Sequence, residues 1–173
     1  MVDKDLLSIQ EARSLVRAAR AAQAEYSTFD QARVDAICKA ICDAGAAKAE
    51  ELGQMAHEET GYGKPQDKKI KNLLATRGVY AAIKDMKTVG VLGEDRDSKV
   101  MEVAVPVGVI AGVVPSTNPT STVFYKSLIA LKAGNAIVFT PHPTAKNCTV
   151  KAVETVKNSA DGTIRFSKLT FDK

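Results

Sequence analysis

Up to Asp85 the apolar residues recur at three- and four-residue intervals; beyond it they alternate or run together. Leu6, Leu15, Val16, Ala19 and Ala22 can share one helix face, which predicts a helix ending near Tyr26. Thr28 and Gln31 then form a T-x-x-Q start signal resembling a capping box. Val34, Ile37, Cys38 and Ile41 follow at i, i+3, i+4 and i+7, a single helical stripe. Gly45 is expected to end or interrupt that helix. Ala49, Leu52, Met55, Ala56 and Glu59 continue the helical pattern to Gly61. GYGKPQDKK reads as a turn-rich, charged connection, and Ile70, Leu73, Leu74, Tyr80 and Ala81 form another apolar stripe.

Past Asp85, Val89, Val91 and Leu92 alternate with turn residues, and Val100 to Val107 alternates as a strand does. Pro106 marks an edge or an interruption. Val107 to Val114 is β-branched and almost wholly apolar, the signature of a strand covered on both faces of a parallel sheet. Thr120 to Lys132 has a helical pattern in Val123, Phe124, Ser127, Leu128 and Leu131, with Gly134 as its stop. Ala136 to Phe139 reads as a second buried strand. Thr144 to Lys157 reads as a helix with Cys148, Val150, Val153 and Val156 on its inner side. The fold class is therefore α/β: N-terminal helices, then the first part of a doubly wound parallel, Rossmann-like sheet. The expected division is 1–97 for the helical segment, 98–157 for edge strands and half-sheet, and 158–173 for a tail of unrecognised origin. In that tail Ile164, Phe166, Leu169 and Phe171 suit a short strand after an Asp-Gly turn. Ligands bind such sheets beyond the carboxyl ends of the strands, here the loops Pro115–Pro119 and Thr140–Pro143.

Composition narrows the function classes. Hydrophobic residues make up 45% and charged residues 25%, a globular balance. The net charge of +4 is mild and the bases are interspersed with acids, so nucleic acid is not an expected partner. No apolar run approaches the ~20 residues that span a bilayer, and a membrane is not expected either. The three cysteines, Cys38, Cys42 and Cys148, are an odd count without dense spacing, which suits free thiols in a reducing cytoplasm. Cys38 and Cys42 lie one helical turn apart, yet no third or fourth ligand is spaced nearby, so buried small hydrophobes are favoured over a metal pair. His57, beside Glu58 and Glu59, is a general base or a structural histidine.

The two loops carry the candidate chemistry. A loop entering a helix offers free N–H groups and a positive dipole end, suited to phosphate or a developing oxyanion. Asn118 adds a neutral NH2 donor, stiffened on both sides by Pro115 and Pro119. The alternative is a plain helix cap, since Ser116, Thr117, Asn118, Thr120 and Ser121 are all good capping residues. No G-x-G-x-x-G follows the strand, and neither a Walker A sequence nor H-E-x-x-H is present. His142, between two prolines, either stacks on a ligand base or is a surface histidine.

PVGVIAGVVPSTNPTSTVFYKSLIALKAGNAIVFTPHPTAKN joins a strand, a P-x-x-N-P loop, a helix ending A-L-K-x-G-N and a strand ending at a proline. It resembles the aldehyde dehydrogenase superfamily. NPTST and TPHPTAKNC are similar to its CoA-acylating branch, as are AAQAEYSTFDQARVD, EETGYGK, KIKN and KTVGVLGED upstream. The resemblance covers roughly residues 6–157. It implies conversion of aldehyde, CoA and NAD+ to acyl-CoA and NADH through a cysteine thioester. It implies Asn118 as the oxyanion donor. Val114, Pro115, Ser116 and Thr117 would lie beside the nicotinamide end of NAD, and Thr140, Pro141, His142 and Pro143 beside the adenosine ribose. Most aldehyde dehydrogenases have Lys where Thr140 stands, so the ribose contacts differ. The family's nucleophilic Cys lies in a later catalytic domain and matches none of the three thiols. The expectation is a truncated relative, inactive alone, in the cytoplasm or a bacterial microcompartment. The alternative is a non-catalytic assembly or targeting module that pairs with full-length subunits or with itself.

Overall fold

In the computed structural model, which describes residues 3–159, helices occupy the first half of the chain and a small parallel sheet anchors the second. Helix α1 (Lys4–Tyr26) starts on Asp3, whose carboxylate accepts the Asp5 N–H. It packs chiefly on β4 (Ala136–Pro141) and β3 (Val109–Val114). Leu15 and Tyr26 are buried, whereas Leu6, Leu7, Ile9 and Val16 stay exposed. The expected stripe is thus covered only where the short sheet lies beneath it.

Helix α2 (Gln31–Ala47) differs from expectation at both landmarks. Its cap is Asp30, which accepts the Arg33 N–H at 2.8 Å, while the Thr28 hydroxyl turns back to Glu25 O and closes α1. Gln31 reaches forward instead, accepting the N–H groups of Thr88 and Val89 at 2.8 and 3.2 Å. Gly45 lies inside the helix because the site has no room for a side chain. A Cβ there would sit 2.6 Å from Thr76 Cγ2 and 2.9 Å from the Phe124 ring.

Helix α3 is Ala49–Thr60 and α4 is Pro65–Leu73, so the connection between them is shorter than expected. Pro65 starts α4 because its fixed φ and missing N–H suit the first helical turn. The chain continues through a π-helical turn, Leu74–Gly78, into α5 (Val79–Ile83).

Strands β1 (Gly90–Asp95) and β2 (Val100–Ala104) form an antiparallel hairpin with a bulge between Val91 and Gly93. Every residue of the pair except Ala104 is exposed. β1 falls before position 98, within the stretch expected to be helical.

β3 and β4 pair in parallel from Val109↔Ala136 to Val114↔Pro141. They are joined by α6 (Pro119–Lys132), which ends at Gly134 with φ +74, a left-handed conformation that glycine adopts without strain. A short 3₁₀ turn, Pro143–Ala145, leads into α7 (Lys146–Ser159). Gly112, Val114, Ile137 and Phe139 turn inward, but Val113 remains 62% exposed. The expectation that β3 is covered on both faces therefore fails. Its sequence suits a double-sided strand, while α1 shields the second face only in part.

The core joins both halves: Val34, Ile41, Leu52, Phe124, Leu128 and Val156 are in one buried cluster. Tyr26 donates to Leu131 O at 3.0 Å. Buried Lys132 pairs with Asp35 at 2.5 Å and donates to Lys84 O at 2.9 Å.

Candidate functional site

Parallel pairing puts the two strand-end loops side by side. Val114 and Pro141 are register partners, and His142 N–H donates to Val114 O at 3.1 Å. Val114 is buried and Pro115 exposed; Ser116 and Asn118 are half-buried, Thr117 exposed.

Asn118 occupies the N-cap position of α6, yet its side chain makes no capping hydrogen bond. The plain-cap reading therefore does not hold for this residue. Its Oδ1 instead accepts from Lys71 Nζ at 3.1 Å, and its Nδ2 makes one long contact of 3.4 Å to Thr117 Oγ1. Three residues of α4 grip this loop. Lys68 Nζ donates to Thr117 O at 3.0 Å, and Asn72 Oδ1 accepts from the Thr120 hydroxyl at 2.9 Å. Asn72 is itself fixed by donating to Ala49 O at 3.0 Å. Lys68 is 5% exposed; burial, helped by the neighbouring charge of Lys71, holds its pKa below the usual lysine value. From α6, Lys126 Nζ donates to Val113 O at 2.8 Å.

The second loop is more open. Thr140 and Pro141 are half-buried, His142 and Pro143 exposed. Thr140 also lines a cavity of about 300 Å³ between α1 and the sheet, with Leu15, Val16, Ala111 and Val138. His142 Nδ1 accepts the Thr144 N–H at 3.3 Å and lies 2.9 Å from the Thr144 hydroxyl, so this nitrogen is engaged in closing the turn. The start of α7 is occupied from within: Glu59 accepts the N–H groups of Asn147 and Cys148 at 2.8 and 2.7 Å. Glu59 had no local sequence signal for this role, because the groups it caps lie 88 and 89 residues away. Sequence reasoning missed Lys68, Lys71 and Asn72: Lys68 fell in the stretch read as a connection, and Lys71 and Asn72 stood out only within KIKN.

All three thiols are buried. Burial pushes Cys38 and Cys148 up to about 12 and also raises Cys42, so at neutral pH none is a thiolate. Among the described residues no cluster of three or more His, Cys, Asp or Glu could hold a metal ion, and no helix is long and apolar enough to cross a membrane. The half-buried His57 has its Nδ1 buried without a hydrogen-bond partner. The adjacent acids are engaged elsewhere: Glu58 accepts from Gln54, and Glu59 caps α7. The strand expected at Ile164–Phe171 lies outside the described residues.

Residues 5–162 match the family model described as the aldehyde dehydrogenase family. The bifunctional aldehyde-alcohol dehydrogenase of Escherichia coli (strain K12) is 46% identical over 153 residues, 88% of this chain but 17% of that protein. A probable aldehyde dehydrogenase from Listeria monocytogenes EGD-e superimposes with a TM-score of 0.90 at 56% identity, covering 94% of this chain and 36% of the other. An acetylating aldehyde dehydrogenase from Geobacillus thermoglucosidasius gives 0.89 at 47% identity over the same shares. The chain thus spans about a sixth of the first of these and about a third of the solved chains, with the Rossmann-like architecture of that fold. On its sequence, its parallel sheet and these likenesses, the chain belongs to the aldehyde dehydrogenase family.

Proposed function

We propose that this chain forms the cofactor-side and oxyanion wall of an NAD-dependent, CoA-acylating aldehyde dehydrogenase and has no turnover by itself. The observation that carries the reading is Asn118: an amide at the end of β3 and the start of α6, excluded from capping, with its oxygen tied down and its NH2 nearly free.

In the reaction a thiolate adds to the aldehyde carbon and the carbonyl oxygen takes the negative charge. Asn118 Nδ2–H donates to that oxygen, which stabilises charge that develops in the transition state. When bound, NAD+ would supply the hydride acceptor, and CoA would take the acyl group from the enzyme thioester, returning the thiolate. The residues present fit one side of a dinucleotide. Thr117 and Thr140 offer hydroxyls, and His142 offers an exposed ring at adjoining strand ends. Their assignment is Val114–Thr117 to the nicotinamide side and Thr140–Pro143 to the adenosine side. None of the three buried, protonated thiols can supply the nucleophile at neutral pH. These free thiols also fit a cytoplasmic setting.

Mixed with acetaldehyde, CoA and NAD+, the purified chain is expected to give no steady NADH absorbance; sustained turnover overturns the inactivity. In a longer family chain carrying this segment, Asn118→Ala is expected to lower kcat by about 10²–10³. An unchanged kcat removes Asn118 from the chemistry.

A second reading, an assembly module, is favoured by the hairpin. Val91, Val100, Met101 and Val103 are exposed on a two-stranded ribbon, a unit that is marginal in isolation. The exposed Leu6, Leu7 and Ile9 of α1 add to it. Co-purification with a full-length bifunctional enzyme supports this reading, and a strictly monomeric chain in that mixture counts against it.

A further inference from the structure

We propose that Lys71 is a positioning residue that sets which end of the Asn118 amide faces outward. The inference rests on the reading of Asn118 as an oxyanion donor. An ammonium group has donors and no acceptor, so a side-chain amide 3.1 Å from Lys71 Nζ must present its oxygen to it. The opposite orientation would set two donors against each other. The NH2 is thereby turned away from α4, where its contact among the described residues, to Thr117 Oγ1 at 3.4 Å, is too long to hold it strongly.

The rest of α4 removes the other freedoms of the loop. Lys68 holds the Thr117 carbonyl, and Asn72 holds the Thr120 side chain. The loop is therefore held on both sides of Asn118, at the Thr117 carbonyl and the Thr120 side chain, while the Asn118 amide can still rotate about its own side-chain bonds. Lys71 decides that rotation and, as a cation on the amide oxygen, also polarises the N–H groups into better donors. A Lys–Asn contact of this kind requires that α4 pack beside the α6 N-terminus, and the two helices are in contact.

The test uses the full chain, with asparagine side chains labelled for NMR and the Asn118 NH2 pair assigned by its loss in N118S. In the wild type the pair is expected to keep one orientation, read from its cross-relaxation with Thr117. In K71M the pair is expected to average between two orientations, with K71R restoring one. An Asn118 signal identical in wild type and K71M overturns the proposal. Titration with acetate, a carboxylate probe for the developing oxyanion, separates the two levels. The expected result is a response about tenfold weaker in K71M than in wild type, the lower end of what a hydrogen bond to a charged group contributes. A wild-type amide that ignores acetate overturns the donor reading itself. An amide that responds equally in wild type and K71M overturns the role of Lys71 alone.

Discussion

The carboxylate of Glu59, near the end of α3, accepts the backbone N–H of Cys148 at 2.7 Å and so acts as the cap of a helix that begins 87 residues later. A second bond, from Asn147 at 2.8 Å, makes the contact bidentate. It orients the turn that follows the Thr140–Pro143 loop, and it satisfies donors that a bound anion would otherwise attract.

Removing this cap by Glu59→Ala should cost about 0.5–2 kcal/mol, the range for lost helix caps. Thermal melting checks it. An unchanged Tm would mean that water replaces the carboxylate without loss.

Gly45→Ala tests the close approach of α2 to Thr76 and Phe124. Alanine favours a helix over glycine by about 1 kcal/mol. Its Cβ would meet Thr76 Cγ2 at 2.6 Å and the Phe124 ring at 2.9 Å, and overpacking of this kind costs about 1–3 kcal/mol. Both neighbours are buried, so the steric cost should win and denaturant unfolding should shift to lower midpoint.

Lys132→Met removes the buried ammonium that faces Asp35 and Lys84 O. The Asp35 side chain is 36% exposed, so water can partly replace the lost partner. The expected loss is about 2 kcal/mol, below the range for fully buried pairs. Adding Asp35→Ala to Lys132→Met should cost less than the sum of the single changes, which a double-mutant cycle measures.

The thiols predict an alkaline limit to stability. Cys38 and Cys148 have folded values of about 12 against an ordinary 9.0. Above 9 the unfolded chain loses these protons while the folded chain keeps them, so the folded state binds more protons and stability falls as pH rises. The loss is about 1.4 kcal/mol per pH unit per thiol between pH 9 and 12. The Tyr26 hydroxyl, raised chiefly by burial, acts in the same direction above its own ordinary value of 10.0. Cys148→Ala should flatten the pH dependence measured by urea unfolding. At pH 8 a thiol reagent should label native protein far more slowly than unfolded protein, and fast native labelling would contradict the burial of these groups.

Local pattern alone carried much of the fold. Val34, Ile37, Cys38 and Ile41 form the buried face of α2 because i, i+3, i+4 and i+7 coincide on any helix. The apolar runs ending at Val114 and Phe139 became adjacent parallel strands, joined by a helix that stops at Gly134. Asn118 was conspicuous because a strand, two prolines and a helix start surround it. Resemblance then supplied the family and the role expected of that amide.

Other features were decided by segments distant in sequence. Gly45 looked like a helix stop, but Thr76 and Phe124 press against it and make it a contact glycine. Thr28 looked like a cap, but Asp30 was better placed and Gln31 was drawn to Thr88 and Val89. Glu59 read as one position of a helical pattern and Lys71 as part of KIKN, until packing set one on α7 and the other on Asn118. Periodicity encodes which face of an element is apolar, since that depends on neighbours a turn away. Which polar group meets a given ammonium or carboxylate depends on how whole elements pack, and only the tertiary structure determines that.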